Sequence, residues 1–169
     1  RLETNGNALV GSTYFGGSGN DGLNEDPNIL FNYGDETRGD LEILSDNSIM
    51  ISSTTDSRNI PGTSGKSQPT YGGGNSDGVL AKFNSNLSSL EWATYYGGSG
   101  ADAAYYIEVD GSNNIFITGG TTSNNLANRN LGLNTAYSGG RSDGYIAKLN
   151  ANTSNVLVST YLGTTSYDQ

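Results

Sequence analysis

The chain has 169 residues, including 25 Gly and 3 Pro, and it contains neither Cys nor His. This composition excludes disulfides, thiolate and imidazole zinc sites, and Ser-His-Asp or Cys-His catalysis. The formal net charge is −9 and no Lys/Arg cluster occurs, so nucleic acid is not an expected partner. No apolar run approaches the roughly 20 residues of a membrane helix, so membrane insertion is not expected either.

Short apolar runs separated by turn residues predict β-strands rather than helices. The sequence "DGSNN" from Asp110 is typical of the turn in a β-hairpin, because Gly and Asn adopt positive φ easily. In chain order, the predicted strands are Leu41–Leu44, Ile49–Ser53, Gly78–Phe83, Leu90–Tyr96, Ile107–Val109, Ile115–Gly119, Gly144–Leu149 and Val156–Leu162.

The chain repeats itself with a fixed period. "SDGVLAKFN" starts at Ser76 and "SDGYIAKLN" at Ser142, and 142 − 76 = 66. A second motif, "ATYYGGSGAD", starts at Ala93 and returns at Ser159 as "STYLGTTSYD", with the same offset. An earlier copy, "STYFGGSGND", starts at Ser12, and here the offset is larger, since 93 − 12 = 81. The first unit therefore carries an insert of about 15 residues, at about 22–39.

Four short antiparallel strands per unit are typical of a β-propeller blade, which buries both its faces only against neighbouring blades. We expect an all-β fold with about two full blades and partial flanking blades, as a segment of a larger propeller. The predicted boundaries are the last strand and connection of a preceding blade at 1–20, a blade at 21–97, a second blade at 98–163 and the start of a next blade at 164–169. The alternative is a β-solenoid, although solenoid repeats are shorter and their strands are parallel.

The motifs "STYFGGSGND", "TYYGGSGADAAYYIEVDGSNNIFITGG" and "SDGYIAKLN…STYLG" resemble the SBBP repeat family of bacterial β-propellers. The resemblance implies a large secreted or cell-surface protein of a Gram-negative bacterium, with other blades of the same propeller as the first partners. The richness in Asn, Gly, Ser and Thr is compatible with a Bacteroidetes-type surface adhesin handled by type IX secretion. The sequence departs from the family pattern at the insert and at "LGTTSYD", which lacks the double glycine.

Recurring small and acidic residues have structural and functional interpretations. We expect Gly16–Gly17 and Gly97–Gly98 to form tight connections with positive φ. Asp21 and Asp102 follow these glycines, and Asp110 lies in a predicted hairpin. Oxygen-rich loops suit Ca²⁺, which makes these three aspartates weak calcium candidates, but no EF-hand or RTX spacing is present. The favoured interpretation is ordinary turn chemistry with no cofactor.

The insert is the region that differs most between units, and it contains apolar residues among acids. Nonrepeated loops on a propeller often bind partners. The candidate interaction residues are Ile29, Leu30, Phe31 and Tyr33. The alternative is that the insert packs on a neighbouring module of the same protein.

Three functions are compatible with the sequence. The leading hypothesis is a noncatalytic secreted or surface scaffold that binds a protein or polysaccharide. The second is a glycan-active enzyme, which needs two carboxylates across a cleft; the available acids stand in no recognisable motif and are Glu25, Asp26, Asp35, Glu36 and Glu108. The third is a structural component of a filament or secretion complex, assembled through sheet edges.

Overall fold

The computed structural model describes residues 1–30, 32, 34–152 and 154–169, and in this part the fold is all-β. The strands are β1 (Asp40–Ile43), β2 (Ile49–Thr55), β3 (Asp77–Phe83), β4 (Leu90–Tyr96), β5 (Asp102–Val109), β6 (Asn114–Thr121), β7 (Asp143–Asn150) and β8 (Val156–Leu162). The helices found in the described part are two 3₁₀ turns, Asp35–Thr37 and Arg129–Leu131. Neither is long and apolar enough to cross a membrane.

The strands form two antiparallel four-stranded sheets, each in simple up-and-down order. Sheet 1 has the order β1-β2-β3-β4 and sheet 2 the order β5-β6-β7-β8. The registers are repeated: Val79 pairs with Tyr95 in sheet 1, and Tyr145 pairs with Tyr161 at the equivalent positions of sheet 2. The predicted all-β fold of four-stranded blades is confirmed.

Strand β5 starts at Asp102, ahead of the predicted start at Ile107. The sequence Ala103–Ala104 lacks the branched and aromatic residues that indicate a strand, so its extension was not expected. Small side chains are needed there because sheet 1 lies close: a Cβ added to Gly78 would fall 3.0 Å from the Ala104 Cβ. Burial between the sheets therefore outweighs the weak local propensity.

The two sheets pack face to face in the same orientation. We call the side of each sheet towards the earlier part of the chain its upstream face, and the other side its downstream face. The contact between the sheets, here called the junction, joins the downstream face of sheet 1 to the upstream face of sheet 2. The main side chains from sheet 1 are Met50, Leu80, Trp92 and Tyr96, and those from sheet 2 are Ile107, Ile115, Ile117, Tyr145, Leu149 and Tyr161.

Loops cover the outer edges of both sheets. The loop that precedes β3 in the chain runs alongside β4, and its Gly62 carbonyl accepts the Ala93 N–H (3.0 Å). The loop that precedes β7 runs alongside β8 in the same way, and its Asn134 carbonyl accepts the Tyr161 N–H (3.1 Å). Covered edges cannot pair with other chains, so β4 and β8 do not offer open templates for edge-to-edge assembly.

The predicted unit boundaries place partial units at both ends of the chain. Residues 1–20 contain no assigned strand, but Leu2 and Leu9 form an antiparallel bridge. At the other end, the Asp168 N–H donates to the Ser142 carbonyl (2.9 Å), as the Asp102 N–H does to the Ser76 carbonyl (2.8 Å). The tail thus repeats the entry into β5, while the boundaries themselves stay predictions.

Replacing Gly119 with Ala should destabilise the fold by about 1–3 kcal/mol, because small-to-large changes in packed sites have that cost. The new methyl carbon would fall 1.8 Å from the Ala103 carbonyl oxygen, which belongs to the neighbouring strand and cannot rotate away. Gly111→Ala is the matched control, since a Cβ there meets nothing within 4 Å. Urea unfolding of both variants checks this, and equal stabilities would contradict it.

Candidate interaction faces

The junction shows what the repeated sheet needs on each of its faces. The rings of Tyr96 and Tyr145 lie across it with centroids 5.0 Å apart. The polar groups of the aromatic side chains are hydrogen-bonded across the junction. The Tyr96 and Ser159 hydroxyls bond to each other (2.8 Å), and the Trp92 indole N–H donates to the Ala151 carbonyl (3.2 Å). Large rings with satisfied polar ends give both burial energy and a fixed orientation.

Equivalent positions away from the junction are open. Leu80 on the downstream face of sheet 1 is 0% exposed, whereas its equivalent on the downstream face of sheet 2, Ile146, is 37% exposed. On the upstream faces the order is reversed, with Ile107 2% exposed in sheet 2 and Leu41 53% exposed in sheet 1. The exposed positions therefore lie on the same two kinds of surface that meet at the junction: the downstream face of sheet 2 and, in sheet 1, the part of the upstream face around β1.

A recurring aspartate fixes the connection between the sheets. The Asp102 carboxylate accepts hydrogen bonds from the Gly98 N–H (2.7 Å), the Ser123 hydroxyl (2.7 Å) and the Thr121 hydroxyl. These donors belong to the turn after β4 and the end of β6, so one carboxylate ties the connection to the sheet. The same set recurs one unit earlier at Asp21, from Gly17, Thr55 and Ser57.

The glycines of this connection allow close approach. The expectation of positive φ is wrong at Gly17, Gly97 and Gly98, and it holds at Gly16 (φ 154°). A Cβ on Gly97 would fall 2.6 Å from Asp77 Oδ1 and 2.7 Å from Asp102 Oδ2. A Cβ on Gly98 would fall 2.3 Å from Asn125 Oδ1. Side chains that anchor the turn fill the space where a Cβ would stand.

Asp77 is the second buried acid at this connection. Its Oδ2 accepts the Gly72 N–H (2.6 Å) and the Gln68 side-chain amide (3.2 Å), but its Oδ1 has no hydrogen-bond partner in the described part of the chain. Burial, with a smaller contribution from nearby Asp102, raises the pKa of Asp77 to about 8. Burial also raises the pKa of Asp102 to about 6, although its hydrogen-bond donors oppose this shift.

The three calcium candidates lie apart. Asp21 and Asp102 occupy successive connections, and Asp110 lies beyond the opposite end of β5, in the hairpin to β6. There it accepts the N–H groups of Ser112 and Asn114 (2.8 Å each), and the Asn114 bonds lower the pKa of Asp110. No group of three or more acidic side chains that could hold a metal ion occurs within the described ranges.

The insert packs against the start of sheet 2. Ile29 is 0% exposed and lies against Ala103 and Tyr105, and its carbonyl accepts bonds from the Tyr105 hydroxyl (2.9 Å) and the Asn24 amide (2.8 Å). Ile29 is therefore engaged within the chain. Leu30 is half-buried, and Phe31 and Tyr33 lie outside the described residues. A binding role for the insert stays a prediction.

The loop before β7 exposes two leucines that sequence reasoning missed. Leu131 is 70% exposed and Leu133 is 89% exposed. The loop is tied to β8, since the Ser159 hydroxyl donates to the Ala127 carbonyl (2.5 Å) and a Cβ on Gly132 would fall 2.0 Å from the Ser159 carbonyl oxygen. The signal available in the sequence was the mismatch between units, where Gly65 and Ser67 stand at the equivalent positions.

Comparison with known families agrees with this geometry. Residues 91–127 match the SBBP family, described as a beta-propeller repeat. This segment is similar to an SBBP repeat. It runs from β4 through the aspartate connection to the loop after β6, so the repeat spans the junction between two sheets. A search of curated proteins found no match.

Stability should fall as the pH rises from about 4 to about 8, because Asp77 has a pKa of about 8 in the native state against 3.8 as its ordinary value. Because the native state binds one more proton than the unfolded state in this window, the free energy of unfolding falls by up to about 1.4 kcal/mol per pH unit. Asp77→Asn removes this titration and should flatten the stability profile between pH 6 and 8.

Urea unfolding at a series of pH values measures this slope. Asp110→Asn is the control, because the lowered pKa of Asp110 confines its effect to pH values below the Asp77 window. An Asp77→Asn variant that keeps the full slope between pH 6 and 8 would show that another group binds the proton.

Proposed function

We propose that this chain is a noncatalytic module of a secreted or cell-surface bacterial protein, in which stacked repeat sheets hold interaction loops in fixed positions. The best support comes from the exposed positions on sheet 1 and sheet 2, such as Leu41 and Ile146, because their equivalents Ile107 and Leu80 are buried at the junction. Sheets of this kind stack through buried apolar faces, and stacking leaves the loops at the ends of the strands free to contact partners.

The loop before β7 is the proposed contact surface for a protein or polysaccharide partner. Exposed leucines on a loop held at both sides present apolar area with little conformational freedom to lose on binding. Arg129 and Tyr137, from the same loop, line a cavity of about 370 Å³. Tyr and Arg are, with Trp, enriched among the residues that contribute most to binding energy.

The surroundings of three of the five candidate acids favour a structural role over a glycan-active enzyme. Asp26 accepts the side-chain amide of Asn75 (2.8 Å), and Asp35 forms an ion pair with Arg38 (3.2 Å). Glu108 is exposed on the open face of sheet 2. We therefore propose that these acids serve solubility and folding, and that a panel of glycans incubated with the whole protein is recovered without cleavage.

Adhesion is tested with the leucines of the loop before β7. A strain lacking the protein should attach to surfaces less than its parent, and the wild-type protein should restore attachment. The variant Leu131→Glu/Leu133→Glu should fold normally but restore less than half of it, because the apolar contact surface is lost.

Leu157→Glu is the control for this experiment, since the equivalent position of sheet 1 is already an acid, Glu91. It should restore attachment fully. If the deletion strain attaches as well as its parent, the adhesive role is wrong. If the double variant restores full attachment, the leucines are not the contact surface.

We also propose that the module needs no metal cofactor. The Asp102 oxygens already receive an N–H and two hydroxyl donors, and Asp110 receives donors from its own hairpin. The melting temperature should therefore be the same in EDTA and in millimolar Ca²⁺. A rise with Ca²⁺ that is lost in Asp102→Asn would identify a calcium site at the connection.

A further inference from the structure

A polar cavity of about 300 Å³ lies between the insert, the residue that follows β2 and the residues that precede β3. This volume is at the small end of ligand pockets, so one small group would fill it. We call it the acidic cavity, because two of its side chains are carboxylates and none is basic. Its lining residues are Asn20, Leu23, Glu25, Asp56, Asn75 and Ser76.

The charge of Asp56 is not needed by the fold. The Asp56 N–H donates to the Asn20 carbonyl (3.0 Å), and the Asn20 N–H donates to Asp56 Oδ1 (2.5 Å). One unit later, Thr122 and Ala101 make the same two contacts (2.8 and 2.7 Å), with the Thr122 hydroxyl in place of the carboxylate. Because a neutral hydroxyl holds the same backbone group, the carboxylate of Asp56 provides a charge beyond what this connection requires.

The side-chain amides of the acidic cavity direct their donors to neighbouring acids. The Asn20 amide nitrogen donates to Glu25 Oε2 (3.3 Å), and the Asn75 amide nitrogen donates to Asp26 Oδ2 (2.8 Å). An amide that donates to a carboxylate keeps its carbonyl oxygen as an acceptor. Together with the carboxylates, these oxygens make the acidic cavity rich in hydrogen-bond acceptors.

Ser76 provides an independent indication of a ligand. It is 2% exposed, and its hydroxyl has no hydrogen-bond partner in the described part of the chain. The equivalent hydroxyl of Ser142 donates to the Asp168 carbonyl (3.3 Å). A buried hydroxyl without a partner has a free-energy cost, and a polar group that enters the cavity beside Ser76 would remove that cost.

The acidic cavity also lacks a counter-charge. Among the described residues, neither Glu25 nor Asp56 forms an ion pair with a Lys or Arg side chain. The second unit differs here too, because Arg141 stands at the position of Asn75. With a formal net charge of −9, the whole chain attracts cations towards such a site.

We propose that the acidic cavity binds the guanidinium group of an arginine side chain from a partner protein. A guanidinium carries a positive charge and five N–H donors and has no acceptor, which complements a cavity of carboxylates and carbonyl oxygens. Glu25 and Asp56 accept charge-assisted hydrogen bonds from it. Leu23, which is 41% exposed, packs against the methylene groups of the arginine.

This contact goes beyond the proposed adhesive role. It uses the insert and the connection ahead of β3, whereas the proposed adhesive surface is the loop before β7. It therefore holds whether or not Leu131 and Leu133 mediate attachment.

The ligand test uses acetyl-arginine amide, an arginine with both ends neutral, titrated into the isotope-labelled chain and followed by NMR. The backbone amide signals of Asn20, Glu25, Asp56 and Ser76 should shift and saturate in the millimolar range. Acetyl-citrulline amide, which has nearly the same shape but no charge, should shift none of them. Acetyl-lysine amide should bind more weakly, because an ammonium group has three donors and no planar fork.

Asp56→Thr is the decisive variant, because it introduces the residue that the second unit has at this position. It should fold with an unchanged melting temperature but bind acetyl-arginine amide about tenfold more weakly, since a charge-assisted hydrogen bond is lost. Glu108→Gln is the matched control. It removes the same charge from an exposed acid outside the cavity, and it should bind as the unchanged chain does.

Four outcomes would overturn the proposal. They are the absence of saturable shifts with acetyl-arginine amide, equal binding of the citrulline or lysine compound, full affinity in Asp56→Thr, and an equal loss of affinity in Glu108→Gln. Millimolar Ca²⁺ that shifts the same signals and excludes the arginine compound would instead assign the acidic cavity to a metal ion. The readout involves no cells, so failure of this site and failure of the adhesive function are distinguishable.

Discussion

The structure depends on one constraint: a four-stranded sheet with apolar side chains on both faces needs a neighbour on each side. In sheet 1, Leu80 and Met50 point downstream, while Val79 and Ala81 point upstream. No single sheet can bury both sets, so folding and stacking are the same process in this chain. The junction satisfies the constraint once, and Phe15 covers part of the upstream face of sheet 1, where its ring packs against that of Phe83.

Apolar burial drives the stacking, but it does not by itself set how the sheets meet. A polar connection also joins the sheets, and in it the carboxylates of Asp77 and Asp102 lie where a Cβ of Gly97 would stand. Burying two acids side by side has a free-energy cost, which appears as their raised pKa values. The hydrogen bonds to Asp102 offset part of this cost, and they join the turn after β4 to the end of β6 at the point where β5 starts.

The sequence predicts the sheets well because alternation and period survive in every unit. The strand starts at Ile49, Leu90 and Val156 follow directly from the apolar runs that begin there after turn residues. Features set by close approach were missed, since neither the early start of β5 nor the crowding at Gly97 leaves a local pattern. The burial of Ile29 and the exposure of Leu133 were equally hidden, because both depend on which surface a loop meets after folding.

Comparing the units with one another separates positions that hold the stack from positions free to do something else. The faces and the connections repeat, as Asp21 and Asp102 show with the same three donors. Only part of the loop before each third strand differs: Leu131 and Leu133 stand where sheet 1 has Gly65 and Ser67. Leu131 and Leu133 can vary because other groups hold the loop on β8, among them the Ala127 carbonyl and the side-chain amides of Asn128 and Asn134. A repeat scaffold can therefore change what it contacts, unit by unit, without disturbing the faces on which its stability depends.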